Sequence, residues 1–276
     1  MKDKYSAVWI SHSSISDYLK CPRAYFLRNM YRDPKTNHKI SLMAPALALG
    51  QTVHEVIESL SVLPVDDRFS ASLTDRFIKA WEKVSGERGG FANADEEAKF
   101  RERGLAMIRR VEDNPGPLKR KTVKIRQELP YFWLSEEDNI ILCGKIDWLE
   151  YIEESDSVRI LDFKTGKFDE DPDSLQLPIY YLLASRCQTK SVTDMSYWYL
   201  NRDPEPVPME LPDTNVSERR VLELGKRIVL ARKLGRFVCK EKDGCRACRP
   251  LEAIVAGKGK LVGVNDFGQD LYVLSP

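Results

Sequence analysis

Apolar residues in the first half of the chain recur at the spacing of amphipathic helices. One such face comprises Leu49, Val53, Val56, Ile57 and Leu60. This face predicts a helix from about residue 44 to residue 60. The same period continues at Phe69, Leu73, Phe77 and Trp81. We therefore expect residues 64–120 to form a mainly helical insert.

From residue 122 the apolar period shortens to two, which is typical of strands. The alternation predicts a three-strand meander over residues 123–129, 139–152 and 158–164. Then follow a helix beginning near Pro172, a strand over 194–201, an amphipathic helix over 218–236 and a hairpin over 260–274. This order favours an α/β (α+β) fold in which helices flank one central mixed sheet.

Composition sets broad limits on the function. The 276 residues carry a formal net charge of +1 and are 42% hydrophobic, which is ordinary for a globular protein with a sizeable core. We expect a single domain over residues 1–276. No apolar run is long enough to cross a bilayer and no secretory segment begins the chain, so we expect a cytoplasmic protein with no membrane contact. The small net charge does not exclude nucleic acid, because a local basic face can bind it.

Two predicted neighbouring strands carry acidic residues among apolar ones. Asp162 and Lys164 are two positions apart and project to one side of their strand, and Asp147 lies on the strand before. Burying a carboxylate and an ammonium is costly unless they pair or bind an ion. Each acid alone is as easily a solvent-facing residue at a strand edge. Together they predict a hydrolytic site that binds Mg²⁺ or Mn²⁺.

Further polar residues join this hypothesis. His54 lies in an apolar helix, where a lone histidine is more often a satisfied core residue, but beside two carboxylates it becomes a nitrogen ligand that favours Mn²⁺. Gln176 and Tyr180 share a helix face, and form either one wall of the core or a polar contact to Lys164 or a phosphate. Glu128 is either a further carboxylate near the site or a solvent-facing residue.

Short motifs follow one another in a fixed order along the chain. They are Gly-Gln-Thr-Val-His at 50–54, Gly-Lys-Ile-Asp at 144–147, Asp-Phe-Lys at 162–164 and Gln-x-x-x-Tyr at 176–180, preceded by a segment from Ser13 to Tyr25. With these motifs the chain resembles the RecB-like nucleases of the PD-(D/E)XK superfamily, including the AddB nuclease domain and the CRISPR-associated RecB-like exonucleases. The likeness extends from about residue 11 to residue 248.

The resemblance implies a restriction-endonuclease-like core and Mg²⁺- or Mn²⁺-dependent hydrolysis of DNA in repair, recombination or CRISPR-type processing. The metal ligands it implies are His54, Asp147, Asp162 and the backbone carbonyl of Phe163. Lys164 would position the attacking water or stabilise developing charge, with Gln176 and Tyr180 as further catalytic residues. The expected activity is that of an exonuclease on single-stranded or end-bearing DNA. The alternative is an inactive DNA-binding or partner-binding module that keeps the fold.

Three of the six cysteines, Cys239, Cys245 and Cys248, lie close together near the C-terminus. The Cys-x-x-Cys spacing is typical of a metal knuckle, and Cys21 is the obvious fourth ligand. In the resembled family four cysteines hold a [4Fe–4S] cluster that joins the two ends of the chain, so we expect residues 237–276 to close onto the N-terminal region. Here Cys239 precedes the pair and no cysteine follows Cys248. This departure leaves Zn²⁺, or no metal, as alternatives.

The last long predicted helix carries a basic stripe that includes Arg219, Arg220, Lys226 and Arg227. Such a stripe is usually a solvated helix face, but beside a nuclease site it becomes a candidate surface for DNA phosphates. The sequence has no P-loop. Any unwinding of DNA would therefore come from a partner, and a helicase or an integrase is the class of partner that we consider.

Overall fold

The computed structural model describes residues 3–274. Within that range the helices are α1 (His12–Lys20), α2 (Pro22–Asn29), α3 (Pro45–Glu58), α4 (Leu73–Trp81), α5 (Ala94–Asp113), α6 (Gln176–Cys187), α7 (Thr214–Lys233) and α8 (Arg249–Val255). The strands are β1 (Val8–Ile10), β2 (Lys39–Leu42), β3 (Tyr131–Ser135), β4 (Ile140–Cys143), β5 (Trp148–Ile152), β6 (Ser157–Lys164), β7 (Ser191–Tyr199), β8 (Val207–Met209), β9 (Gly259–Val264) and β10 (Gln269–Leu274).

Local sequence signals set the starts of the first helices. Ser11 caps α1: the Ser14 N–H donates to the Ser11 hydroxyl, and the Ser11 N–H donates to the Ser14 hydroxyl. Pro22 and Pro45 occupy the first turns of α2 and α3. A helix leaves those N–H groups unpaired in any case, so proline is tolerated there.

A mixed four-stranded sheet carries the candidate site. Its order is β5-β6-β7-β8, with β6 antiparallel to β5 and parallel to β7. Leu161 and Phe163 of β6 belong to a core shared with α3, α4 and α5, whereas Ile160 belongs to a core shared with α6 and α7. The alternation along β6 therefore gives two apolar faces, each covered by helices. This arrangement confirms the predicted mixed α/β fold class.

The predicted strand over residues 139–152 is wrong as a single element. It forms β4 and β5, which belong to different sheets, because the pairing stops at residues 144–147. Gly144 passes so close to α6 that an added Cβ would lie 3.0 Å from Leu183 Cδ1. The chain leaves the first sheet at this contact and enters the second, and Asp147 is left just outside the ladder.

The predicted strand over residues 123–129 is also wrong. Thr122 makes an isolated bridge to Glu150, and the residues after it form no strand. Val123 and Ile125 pack partly against the core, whereas Glu128 faces solvent. The alternation of apolar and polar residues therefore reflects burial of one side of the segment and not pairing with another strand. Instead β3 follows and joins a three-stranded sheet of order β1-β4-β3.

The last two strands of the described chain join β2 in a third sheet. β9 and β10 form the predicted hairpin, and β10 also pairs in parallel with β2, giving the order β2-β10-β9. α8 packs against α2 and β2. Residues 64–120 contain α4, α5 and short 3₁₀ turns that pack on α3. No helix within residues 3–274 is both long enough and apolar enough to span a membrane.

A buried arginine connects the helical segment, residues 64–120, to the start of β5 beside the candidate site. Arg68 is 2% exposed, and its guanidinium donates to the carbonyls of Leu118 and Arg120, at 2.7 Å each, and to the Thr122 hydroxyl at 3.3 Å. The same guanidinium lies 5.0 Å from the centre of the Trp148 ring. This cation–π contact and these hydrogen bonds hold the start of β5 in place.

We expect Arg68→Ala to lower the free energy of unfolding by about 3 kcal/mol, because it leaves buried carbonyls unpaired and opens a space beside Trp148. Urea denaturation followed by tryptophan fluorescence measures the change. Arg109→Ala is the matched control. Its ion pair with Glu102 is more than half exposed, so its effect should stay within about 0.5 kcal/mol. Equal effects of the two substitutions would contradict the structural role of Arg68.

Candidate functional site

A network of hydrogen bonds surrounds the end of β6. The Lys164 ammonium lies 2.9 Å from Asp162 Oδ2 and 2.9 Å from Glu170 Oε2, and donates to Gln176 Oε1 at 2.5 Å. The Gln176 amide in turn donates to Asp162 Oδ1 at 2.5 Å and lies 3.3 Å from the Tyr180 hydroxyl. Asp162 and Lys164 share the face of β6 that α6 covers, which is why the first turns of α6 reach both.

A second group of side chains lies at the adjoining start of β5. Trp148 pairs with Leu161, so Asp147 stands opposite the Asp162 end of β6. Asp147 Oδ2 accepts the Phe163 N–H at 3.0 Å and lies 3.5 Å from His54 Nδ1. His54 reaches this point from α3, on the other face of the sheet.

Glu58, which the sequence interpretation did not include, completes the second group. Its Oε1 lies 3.1 Å from His54 Nδ1, one helical turn away, and its other oxygen pairs with Lys145. His54, Glu58 and Asp147 each offer a ligand atom, and these atoms lie within 4.8 Å of one another. Glu58 follows His54 by four residues, so the helical period could have identified it.

The predicted residues therefore converge. The structure brings to one end of β6 the side chains of His54, Asp147, Asp162, Lys164, Gln176 and Tyr180. The N–H and C=O of one residue in a strand face the same side, so the carbonyl of Phe163 faces the Asp147 side, as its N–H does. Glu170 is a second residue that the sequence interpretation missed. It lies in the loop after β6, where no pattern identified it.

Burial and crowded charge shift the pKa values in the site. Burial and the neighbouring Asp162 carboxylate raise the pKa of Asp147 to about 7. Burial alone would lower the pKa of His54, but its hydrogen bond to Glu58 and the nearby Asp147 carboxylate raise it to about 9. Burial also raises the pKa of Asp162, against the opposing effect of Lys164. Several acids placed together out of water need positive charge among them.

The residues suit a divalent cation. Carboxylate oxygens are the ligands that Mg²⁺ prefers, and an imidazole nitrogen extends the set toward Mn²⁺. Asp162 Oδ2 is buried and accepts no hydrogen bond of good geometry, although the Lys164 ammonium is its ion-pair partner at 2.9 Å. A lone pair on that oxygen is therefore left for a further electropositive ligand.

Two clefts reach the candidate site from solvent. A cleft of about 770 Å³ is lined by His54 and Glu58, among others, and a cleft of about 310 Å³ is lined by Asp147 and Glu128. Glu128 itself is exposed in an irregular segment and makes no hydrogen bond within residues 3–274. Glu128 thus lines the same cleft as Asp147 but is not hydrogen-bonded to it.

The four predicted cysteines also converge. The sulfur atoms of Cys21, Cys239, Cys245 and Cys248 lie within 4.8 Å of one another. Cys245 and Cys248 are 3.8 Å apart at their sulfurs, and the Cys245 N–H lies 3.2 Å from Cys248 Sγ. Hydrogen bonds from the backbone N–H groups after it lower the pKa of Cys245 to about 7, which favours its thiolate. Four thiols at this separation form a ligand set for a soft metal.

The basic residues on α7 are not part of the metal site. Arg219, Arg220, Lys226 and Arg227 are all exposed. The Arg220 guanidinium donates to the Asp173 carbonyl at 3.4 Å, in the loop that leads from β6 to α6. Lys226 pairs with Asp138 at 3.0 Å. Of the four, Arg220 thus has a contact with the loop beside the site.

Comparison with known proteins gives the context for this geometry. A family model described as the PD-(D/E)XK nuclease superfamily matches residues 9–251. Among curated proteins no match was found. Among solved structures, a candidate exonuclease from Eubacterium rectale is 16% identical, with a TM-score of 0.46 over 88% of this chain and 87% of that chain.

Proposed function

Because the chain belongs to the PD-(D/E)XK nuclease superfamily and is therefore a nuclease, we propose that it hydrolyses DNA with Mg²⁺ or Mn²⁺ at the end of β6. One observation carries the proposal. His54 and Asp147 lie on one side and Asp162 and Lys164 on the other, and the two pairs meet where β5 begins and β6 ends. An imidazole, two acids and an amine from three elements have no packing reason to meet there.

The proposed metal ligands are His54, Asp147, Asp162 and the Phe163 carbonyl, with Glu58 as a further carboxylate. A bound divalent ion supplies an acidified water and neutralises charge on the scissile phosphate. The Lys164 ammonium is held by Asp162, Glu170 and Gln176, so it is oriented before substrate arrives. It then stabilises charge that develops on the phosphate oxygens.

Gln176 and Tyr180 position the acid and the amine. The Gln176 side chain donates to Asp162 and accepts from Lys164, so it orients both side chains. Tyr180 contacts the amide of Gln176 from the next turn of α6. We propose that these two residues act through Asp162 and Lys164 and do not touch the reacting atoms.

We propose an exonuclease on single-stranded or end-bearing DNA. The test uses end-labelled linear single strands, linear duplexes and circular single strands, each with Mg²⁺, Mn²⁺ or EDTA. Cleavage of linear DNA with metal, and none of circles, supports the proposal. Cleavage of circles identifies an endonuclease. DNA binding without cleavage in either metal favours the alternative, an inactive DNA-binding module.

Glu58→Gln tests the ligand set. Loss of one carboxylate charge is expected to weaken Mn²⁺ binding by about tenfold, measured by calorimetric titration and by the Mn²⁺ concentration that gives half-maximal cleavage. Glu55→Gln is the matched control, since Glu55 lies on the same helix and pairs with the exposed Lys83. Unchanged Mn²⁺ binding by Glu58→Gln would remove Glu58 from the site.

The four cysteines are proposed to hold a structural metal centre. The resemblance favours a [4Fe–4S] cluster. The separation of 3.8 Å between the sulfurs of Cys245 and Cys248, however, equals the edge of a tetrahedron of sulfurs around one Zn²⁺ ion with bonds of about 2.3 Å. A cluster of four irons requires its thiolates to lie further apart. Metal analysis and the visible absorbance of anaerobically purified protein distinguish the two.

The basic stripe on α7 is proposed as a secondary contact for DNA phosphates, through Arg219, Arg220, Lys226 and Arg227. The exposure of all four supports this. A helicase or integrase partner, and a role in repair, recombination or CRISPR-type processing, stay predictions from the sequence.

A further inference from the structure

The cleft of about 770 Å³ has walls from three separate parts of the chain. α3 contributes His54 and Glu58, the helical segment contributes Lys83 and Arg88, and the β9–β10 hairpin contributes residues 262–267. Because two of its lining residues belong to the candidate metal site, anything bound in the cleft lies beside that site. The volume is within the range of about 300–1,000 Å³ that is typical of ligand-binding clefts.

The hairpin wall ends in an exposed aromatic ring. Phe267 lines the cleft and is 86% exposed. Its turn is ordered by hydrogen bonds, since the Asn265 side chain accepts the N–H groups of Phe267 and Gln269 at 3.0 Å each. Gly268 follows with a φ of +67°, a conformation that glycine adopts without strain. The ring is therefore presented to solvent by a built turn.

The hairpin is fixed relative to α3. β10 is paired on both sides, with β2 and β9, and α8 packs against both strands of the hairpin. The short turn Gly86–Gly89 also packs against α3 and against both strands of the hairpin. The distance between the Phe267 ring and the metal-site residues is thus set by the fold.

The cleft also carries cations that can reach phosphates. Lys83 and Lys145 pair with Glu55 and Glu58, yet their side chains remain 65% and 66% exposed. The Lys83–Glu55 pair is largely exposed at both ends and therefore weak, whereas Lys145 pairs with the largely buried Glu58. Arg88 is exposed and has no ion-pair partner within residues 3–274. An aromatic ring beside exposed cations is the combination that binds single-stranded nucleic acid.

We propose, on the basis of the function proposed above, that this cleft binds a single-stranded segment of the substrate with one base stacked on Phe267. Lys83, Arg88 and Lys145 contact the phosphates, and the strand then leads to His54, Glu58 and Asp147. Inside a duplex both faces of each base pair are stacked on the neighbouring pairs, so the contact favours unpaired strands. Phe267 is in this account a specificity-determining residue and takes no part in hydrolysis.

The test compares Phe267→Ala, Phe267→Trp and the control Tyr5→Ala, which removes an aromatic ring that is 87% exposed and lies outside the cleft. Fluorescence anisotropy in EDTA measures the Kd for a labelled oligothymidylate, for the same chain with abasic sites, and for a blunt duplex. Phe267→Ala is expected to weaken oligothymidylate binding about tenfold. It should leave the abasic and duplex Kd values unchanged. Phe267→Trp retains binding, and Tyr5→Ala has no effect.

The outcomes separate the two proposals. If Phe267→Ala binds oligothymidylate as wild type does, or loses abasic binding equally, the stacking contact is refuted, whatever the cleavage assay shows. If wild type cleaves no DNA with either metal but binds single strands through Phe267, the proposed hydrolysis of DNA is refuted and the proposed strand-binding role of the cleft is supported. Thermal melting of each variant shows that an altered Kd does not reflect unfolding. Wild type without affinity for single strands overturns the inference directly.

Discussion

Lys164→Ala is expected to slow DNA cleavage by about 10³-fold at saturating Mg²⁺ while leaving DNA binding in EDTA within a few fold. The ammonium is oriented by Asp162, Glu170 and Gln176 and is 15% exposed. A preoriented charge of this kind acts on the transition state in a site with little water, where one donor contributes about 10²–10³-fold to the rate. Single-turnover cleavage of a labelled single strand measures the chemical step without product release.

Two further variants separate chemistry from folding. Asp162→Asn keeps the size of the side chain and its contact with Gln176 but removes the charge, and should reduce the rate at least as much as Lys164→Ala. Lys190→Ala removes a partly exposed lysine near the opposite end of β6, where it pairs with Asp156, and should leave the rate unchanged. Normal cleavage by Lys164→Ala or Asp162→Asn would refute the site.

The sequence was informative where function depends on spacing within one element. Asp162 and Lys164 are two apart on a strand, and Gln176 and Tyr180 are four apart on a helix, so each pair shares a face whatever the rest of the fold does. The structure brings these pairs together in one network. Their catalytic roles stay a prediction until the variants are measured.

The sequence was less informative where contacts depend on the tertiary fold. The break at residues 144–147 arises because Gly144 lies against Leu183 of α6, a contact about forty residues away in the sequence that no local period reports. Glu170 reaches Lys164 from an irregular loop. The segment 123–129 has an alternating pattern but forms no strand, because β5 pairs with β6 and meets this part of the chain at residues 121–123. An alternating pattern indicates that one side of a segment is buried, whereas strand pairing depends on which other segments the tertiary fold places beside it.

The cysteine group links the ends of the chain to the wall of the cleft. Cys21 lies between α1 and α2, and Cys248 immediately precedes α8. α8 packs against β9 and β10, which carry Phe267 at their turn. A metal held by thiolates from both ends contributes its binding free energy to folding. We therefore expect the cysteines to affect substrate binding through the hairpin, although they are not part of the candidate metal site at β6.

Removing this centre should loosen the C-terminal segment before the rest of the chain unfolds. Cys248 is 0% exposed, and we expect Cys248→Ser to lower the thermal midpoint by about 5–10 °C and to expose residues 239–276 to limited proteolysis. Oligothymidylate binding should weaken to the level of Phe267→Ala, with no further loss in the double variant, because both changes remove the same stacking contact.

Cys187→Ser, at a half-buried cysteine outside the group, is the matched control and should retain the wild-type cleavage pattern. If neither metal chelation nor Cys248→Ser changes the midpoint or the protease sensitivity of this segment, the four thiols hold no structural metal, and the hairpin is held by the packing of α8 and the pairing of β10 alone.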